Sequence, residues 1–117
     1  MWRKDITSKI TVIDTGSNRV CAVLINIAAN LNLLCLNVYL PYESSAINTD
    51  EFQFQLAIIA DIIEQHPSSE VLLGGDFNVD FSRNWTHTSL LNNFCERELL
   101  FPLVKGTLHS KSTLEFL

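Results

Sequence analysis

Two long apolar runs of β type limit the possible folds of this chain more than any other feature. Residues 19–27 and 31–40 are rich in Val, Ile and Leu, and only Ala28-Ala29-Asn30 separates them. Two such runs around a short polar break predict an antiparallel hairpin. Because both runs contain few polar residues, we expect strands that are covered on both faces, inside a layered fold.

A short strand and an amphipathic helix flank this hairpin. Residues 9–14 read as a strand that ends in a turn. In residues 50–66 the apolar side chains recur at helical spacing, and Asn48 with Glu51 three positions later predicts the helix cap. The dipeptide His66-Pro67 predicts the end of this helix.

The rest of the chain continues the alternation of strands and helices. Residues 71–75 predict a short buried strand, and Thr86 or Thr88 predicts the cap of a second helix. Extended segments are expected at residues 102–104 and 112–117. The order of the elements predicts an α/β fold. The apolar positions of the second helix are Leu90, Leu91, Phe94 and Cys95.

Composition and charge exclude several classes of protein. The chain has 117 residues, of which 47% are hydrophobic and 18% charged, so one small globular domain is expected. Its net charge of −5 argues against a non-specific nucleic-acid binder, which needs an excess of Lys and Arg for phosphate contacts. An enzyme that acts on phosphodiesters is still compatible, because a bound divalent cation could supply the missing positive charge.

The cysteines and the hydropathy predict an intracellular location, nuclear or cytoplasmic. Cys21, Cys35 and Cys95 lie in apolar stretches without CxxC spacing, so they are interpreted as buried thiols in a reducing compartment. The N-terminus lacks the apolar region of a signal peptide, which argues against secretion. No apolar run approaches the about 18 residues of a membrane span, so no membrane partner is expected.

The segment "VLLGGDFNVDF", residues 71–81, carries the densest chemistry. If the backbone stays extended, Asp76 and Asn78 lie side by side at the carboxyl end of a buried strand, where α/β folds place their sites. A carboxylate beside a carboxamide suits a hard cation and a phosphate. An Asx turn explains the same residues equally well. Asp80 is interpreted as a solvated loop carboxylate.

The segment "LNVYLPYE", residues 36–43, is the second cluster. In a strand, Asn37 and Tyr39 share one face, and Pro41 ends the strand near Tyr39. Tyr39 fits a core residue whose hydroxyl reaches water, and it also fits a ligand-binding group.

Together these two segments resemble the endonuclease/exonuclease/phosphatase family. The resemblance rests on Asn37-Val38-Tyr39-Leu40-Pro41, an amphipathic helix, and then Gly75-Asp76-Phe77-Asn78. The stretch that follows is most similar to the endonuclease domains of non-LTR (LINE-type) retrotransposons. The resemblance implies a partial four-layer α/β-β/α sandwich, with residues 1–117 as the middle to C-terminal part of one domain.

The resemblance also implies a phosphodiesterase that depends on Mg²⁺ or Mn²⁺ and nicks DNA. Asp76 would orient and deprotonate the attacking water and could bind the metal. Asn78 and the Tyr39 hydroxyl would contact the scissile phosphate. A reverse transcriptase domain in the same polyprotein is a possible partner.

Further family positions match more weakly or are missing. Thr107 and Asn37 would contact phosphate, and Glu115 would be a metal ligand where the family has Asp. His66, His87 and His109 match no family position and are interpreted as surface or helix-end residues. The metal-binding Glu of the family would precede this sequence, and its Ser-Asp-His would follow it. We therefore expect little or no activity from this chain alone. The alternatives are a phosphatase of the same fold and a non-catalytic, degenerate fragment.

Overall fold

A single mixed β-sheet with two helices forms the part of the chain that the structure describes. This computed structural model describes residues 9–79, 85–104 and 107–110, and only the backbone of residues 102–104 and 107–110. The sheet order is β1-β2-β3-β4-β6-β5. The strands are β1 (Ile10–Ile13), β2 (Val20–Ala28), β3 (Leu31–Tyr39), β4 (Glu70–Asp76), β5 (Leu100–Val104) and β6 (Thr107–Ser110), and the helices are α1 (Ala46–Glu64) and α2 (Thr86–Glu98).

The expected antiparallel hairpin is confirmed. β2 and β3 pair from Ala28 and Leu31 down to Val20 and Val38, and Asn30 takes a left-handed conformation in the turn, with a φ of 66°. A β-bulge between Asn26 and Ala28 shifts the register by one residue. Such a bulge decides which side chains of the two strands lie opposite each other.

β3 and β4 are adjacent and parallel, with α1 between them in the chain. Parallel neighbours require a crossover, and an amphipathic helix is the usual one. The remaining pairs, β1 with β2, β4 with β6, and β5 with β6, are antiparallel. The expected strands at 9–14, 71–75 and 102–104 are thus observed within a residue or two. β6 was not expected, and residues 112–117 lie outside the described residues.

The expected cap of α1 is wrong. The N-cap is Ser45, whose Oγ accepts a hydrogen bond from the Asn48 backbone N–H at 3.3 Å, so Asn48 lies within the first turn. Ser45 is as good a capping residue as Asn, and it allows the helix to begin at Ala46, earlier than expected. The helix ends as expected, with Gln65 as its C-cap two residues before Pro67.

The expected cap of the second helix, Thr86 or Thr88, is also wrong, because the helix begins at Thr86 and its N-cap is Trp85. Leu91 and Phe94 are buried, as expected, while Leu90 and Cys95 are partly buried against the same core. The helix ends at Glu98, and its C-cap Leu99 adopts a left-handed conformation with a φ of 59°.

The core lies between the two helices and one face of the sheet. Its buried residues alternate along the strands, as expected for a sheet with one covered face. From the strands come Val20, Ala22, Leu34, Leu36, Val38, Val71 and Leu73; from the helices come Phe52, Leu56, Ile59, Ala60, Ile62, Leu91 and Phe94.

The expectation that both faces of the central strands are covered is wrong for the residues that the structure describes. Cys21 is exposed, and Val23, Cys35 and Leu72 on the same face are only partly buried. They line a shallow apolar groove together with Asn37 and Gly74. The second sheet of the expected four-layer sandwich is not among the described residues. The described part of the chain has an α/β architecture, with one mixed β-sheet and two helices.

The interpretation of the cysteines as buried thiols therefore needs correction. Cys21 is exposed, while Cys35 and Cys95 are partly buried. Burial raises the pKa of the Cys35 thiol, and it raises the pKa of Cys95 to about 11. Among the described helices, none combines the length and the apolar character needed to cross a membrane.

Two phenylalanines of α1 provide a test of this core. Phe52 is 0% exposed, whereas Phe54, two residues later, is 61% exposed. We expect Phe52→Ala to lower the free energy of unfolding by about 3–5 kcal/mol, because it leaves a cavity among close-packed neighbours. Phe54→Ala should change it by less than about 0.5 kcal/mol. Urea unfolding followed by circular dichroism measures both, and equal losses would contradict the described burial.

Candidate active site

Tyr39 and Asp76 lie side by side at the carboxyl ends of two parallel strands. They are register partners, the last residues of β3 and β4. Tyr39 is 57% exposed and Asp76 is exposed. Tyr39 is therefore no core residue, and the alternative that it is part of the core is wrong. The phenol and the carboxylate lie at the sheet edge where α/β folds bind their ligands.

Asn78 lies beside Asp76, but not on an extended backbone. The strand ends at Asp76, and Asn78 has a φ of 52°, in the left-handed region. Its backbone N–H donates to Oδ1 of Asp76 at 3.0 Å, which is the hydrogen bond of an Asx turn. The extended arrangement that the alternation of residues suggested is therefore wrong, because this local hydrogen bond bends the chain.

The side chain of Asn78 ties this turn to β3. Its Nδ2 donates to the carbonyl oxygen of Leu40 at 2.6 Å, and the N–H of Leu40 donates to the carbonyl oxygen of Asp76 at 2.9 Å. An amide nitrogen carries two hydrogens, so one donor and the amide oxygen of Asn78 remain for a ligand. Among the described residues, Oδ2 of Asp76 accepts no hydrogen bond.

Gly75 permits the close approach of these two strands. Its φ is +122°, and a Cβ built there would lie 2.1 Å from the carbonyl oxygen of Val38 and 2.9 Å from Oδ1 of Asn37. Both distances are far below van der Waals contact, so any side chain would force the strands apart. Glycine at position 75 is thus a steric requirement of the pairing that places Asp76 beside Tyr39.

The remaining candidate residues are only partly placed. Asn37 pairs with Gly74, and Gly74 pairs with Thr107 on β6, so the three backbones form one row across the sheet. Asn37 is exposed. Glu115 and Asp80 lie outside the described residues.

His87 is a helix-end residue, at the second position of α2, but the interpretation that it lies at the surface is wrong. His87 is 1% exposed and stacks on Phe52, with 4.2 Å between the ring centroids. Its Nε2 lies 3.0 Å from Oγ1 of Thr49, and its Nδ1 has no partner among the described residues. His66 is a helix-end residue as expected, with Nδ1 2.8 Å from the carbonyl oxygen of Ile62. The side chain of His109 is not described.

Glu43 links the loop after Tyr39 to the second helix. Its carboxylate accepts hydrogen bonds from the backbone N–H groups of His87 at 2.8 Å and Thr86 at 3.3 Å. These are free donors at the N-terminus of α2, where negative charge is stabilised. The hydrogen bond from His87 contributes most to lowering the pKa of Glu43. No local capping pattern indicates this contact, because Glu43 and His87 are 44 positions apart in the chain.

Arg19 is a further residue of this edge that sequence reasoning missed. Its Nη1 donates to the carbonyl oxygen of Tyr39 at 3.1 Å, and its Cζ lies 5.6 Å from the centroid of the Tyr39 ring. In the sequence, Arg19 stands out only as a lone cation at the start of an apolar strand. The register of the hairpin is what places it beside Tyr39.

The described residues offer only part of a metal site. None of them form a group of three or more His, Cys, Asp or Glu side chains that could hold a metal. The exposed carboxylate of Asp76 nevertheless fits Mg²⁺, which keeps several waters and binds through one or two carboxylates together with substrate phosphates.

Comparisons with known proteins give a partial structural match. No protein-family profile and no curated protein matches the chain. A truncated TDP2 of Caenorhabditis elegans matches 63% of this chain at 26% identity and a TM-score of 0.40, and the chain spans 32% of its length. TDP2 from C. elegans matches the same share at 27% identity and a TM-score of 0.39, with 24% of its length spanned. The similarity to TDP2 is thus partial. Matches of this extent do not assign the chain to a family.

Among the described residues, two glycines with positive φ, Gly16 and Gly75, allow the steric role of Gly75 to be tested. We expect Gly75→Ala to cost about 3 kcal/mol or more of unfolding free energy, because backbone clash adds to conformational strain. Gly16, with a φ of +71° and no atom within 4 Å of an added Cβ, controls for the strain alone. Gly16→Ala should cost about 1–2 kcal/mol. Equal losses in urea unfolding would contradict the clash.

The lowered pKa of Glu43 predicts a pH-dependent contribution to stability. Because the folded state favours the carboxylate, this contribution is present above the unfolded pKa of about 4.3 and is lost as the pH falls through the lower folded value. Glu43→Gln should therefore destabilise the protein near neutral pH, and its difference from wild type should shrink below pH about 4. Urea midpoints measured across this range check it; a difference independent of pH would contradict the contact.

Proposed function

We propose that this chain carries part of the active site of a Mg²⁺-dependent phosphodiesterase. One observation carries the proposal: Tyr39 lies beside Asp76 and Asn78, which belong to a distant segment of the chain, at one exposed edge of the sheet. The resemblance of Asn37–Pro41 and Gly75–Asn78 to the endonuclease/exonuclease/phosphatase family supports the same reading of these residues.

The chemistry proposed is in-line attack of water on phosphorus. Asp76 orients the water and accepts its proton as the new P–O bond forms and the ester P–O bond breaks. The leaving oxygen keeps the bonding electron pair and takes up a proton from solvent. The free amide hydrogen of Asn78 and the hydroxyl of Tyr39 donate to the non-bridging oxygens, where negative charge develops. The bond from Asn78 to Leu40 holds the amide in place before substrate binds.

The metal would be held by Asp76, with Glu115 as a weaker candidate ligand. When bound, Mg²⁺ or Mn²⁺ would neutralise charge on the phosphate oxygens. Since the described residues supply a single suitable carboxylate at this edge, we propose that other segments complete the site. The chain alone is therefore proposed to be inactive or nearly so.

The finer proposal is an endonuclease of LINE-type retrotransposons that nicks DNA, with a reverse transcriptase in the same polyprotein. A phosphatase of the same fold is the second candidate, and a degenerate fragment the third. Enzymes that bind several phosphate groups need a basic pocket, whereas the net charge here is −5. Translation of the flanking genomic DNA separates the three: a reverse transcriptase supports the first, and stop codons or frameshifts support the third. Flanks with neither a reverse transcriptase nor the missing motifs would contradict the retrotransposon proposal.

An aspartate of equivalent local geometry provides the control for activity. Asp14 and Asp76 each accept, through Oδ1, the N–H of the residue two positions later at 3.0 Å. Asparagine preserves both turns, because its side-chain oxygen accepts the same bond. We expect Asp76→Asn to reduce Mg²⁺-dependent phosphodiester cleavage by about 100-fold or more, and Asp14→Asn to leave it unchanged.

The assay is nicking of supercoiled plasmid in Mg²⁺ and in EDTA. It compares this chain with the chain extended by its translated flanking sequence. We expect nicking by the extended protein only. Equal activity of Asp76→Asn and wild type would mean that Asp76 serves the turn alone. Nicking by the unextended chain that is lost in Asp76→Ala would contradict the proposal that other segments complete the site.

A further inference from the structure

A guanidinium, a phenol and a carboxylate form one row across three neighbouring strands. Arg19 directly precedes β2 and lies opposite Tyr39, whose N–H donates to the Arg19 carbonyl oxygen at 2.9 Å. Tyr39 in turn pairs with Asp76 on β4. Because Arg19 also bonds the carbonyl of Tyr39 and lies 5.6 Å from its ring centroid, its side chain rests on the exposed phenol.

The backbone of Arg19 is fixed by a network that reaches into the core. Oγ of Ser17 accepts the Arg19 N–H at 3.0 Å and donates to Oε1 of Gln55 at 2.6 Å. Gln55 is 4% exposed, and its Nε2 donates to Glu51 one turn earlier in α1. The loop that carries Arg19 is thus anchored to a helix, so the cation is held in place without a ligand.

Arg19 is also the cation that remains available at this edge. Among the described residues it forms no ion pair with a carboxylate, and its bond to Tyr39 uses one of five guanidinium N–H donors. Of the other described cations, Lys9 lies opposite Asn26 near the far end of β2. Arg97 pairs with Glu98 at 3.5 Å, at the last turn of α2. The chain has a net charge of −5. Among the described cations, Arg19 is therefore the one that an anion at this edge can bind.

We propose that Arg19 binds a phosphate of the substrate backbone, with Tyr39 as the platform that holds its guanidinium. This inference rests on the proposed phosphodiesterase function and adds a substrate-binding residue to it. A planar guanidinium offers paired donors that match phosphate oxygens, and the aromatic ring beneath it restricts its rotamers.

The stacking on Tyr39 indicates where this phosphate binds. The Arg19 guanidinium lies 5.6 Å from the centroid of the Tyr39 ring, and Tyr39 is the register partner of Asp76. The phosphate at Arg19 therefore binds beside Tyr39, at the same end of β3 and β4 as Asp76.

The test measures DNA binding without catalysis. A fluorescein-labelled 20-base-pair duplex is titrated in EDTA with the 117-residue chain across a series of NaCl concentrations. Each phosphate contact contributes about 0.9 to the slope of log K against log salt. Arg19→Gln should lower that slope by about 0.9 and weaken binding by about tenfold at 50 mM NaCl. Arg97→Gln is the matched control, because Arg97 also lies near an aromatic ring, 5.9 Å from the Phe94 centroid; it should change neither.

A second variant separates charge from position. Arg19→Lys keeps the positive charge but loses the paired N–H donors of the guanidinium. We therefore expect the salt slope of wild type with a Kd raised about threefold. Three results would overturn the inference: an unchanged slope in Arg19→Gln, equal slopes in the Gln and Lys variants, or no DNA binding by wild type at 20 mM NaCl. Failure of the proposed hydrolytic function would be distinguishable from failure of this inference. In that case Asp76→Asn would leave cleavage unchanged, while the slope of log K against log salt would still depend on Arg19.

Discussion

The parallel pairing of β3 with β4 is the interaction on which the rest of this structure depends. It places Tyr39 next to Asp76, and it requires α1 as the crossover whose apolar side covers the sheet. The pairing is possible at its outer end because Gly75 lets the backbone of Val38 approach within a distance that no Cβ allows. A steric property of one residue thus determines both the packing of the sheet edge and the position of the carboxylate.

The Asx turn at Asp76 and the proposed catalytic role are compatible, although the sequence offered them as alternatives. The turn uses Oδ1 of Asp76 and the backbone N–H of Asn78, while Oδ2 of Asp76 and part of the Asn78 amide remain for a ligand. The turn restricts the side chain of Asp76, and the bond to Leu40 restricts that of Asn78, before substrate arrives. Such pre-organisation lowers the entropic cost of bringing reacting groups together.

Two sets of hydrogen bonds hold the loops that border this edge. Glu43 accepts the free N–H groups at the start of α2, and His87 next to it is packed on Phe52 of α1. On the other side, Ser17 connects the turn before Arg19 to Gln55. The strand ends that carry the candidate residues are therefore braced by both helices, so positions that never touch substrate can still affect the geometry of the site.

The sequence by itself determined the elements: the hairpin, the amphipathic α1 and the strand before Asp76 follow from local periodicity and from turn residues. Local patterns also singled out Tyr39, Asp76 and Asn78. Tertiary structure alone decided which residues share the edge. Without the bulge between Asn26 and Ala28, the hairpin register would place Arg19 opposite Leu40, whereas the bulge brings it opposite Tyr39. The burial of His87 and its hydrogen bond to Glu43 could not be predicted from the sequence either, because contacts between residues distant in the chain leave no trace in local periodicity.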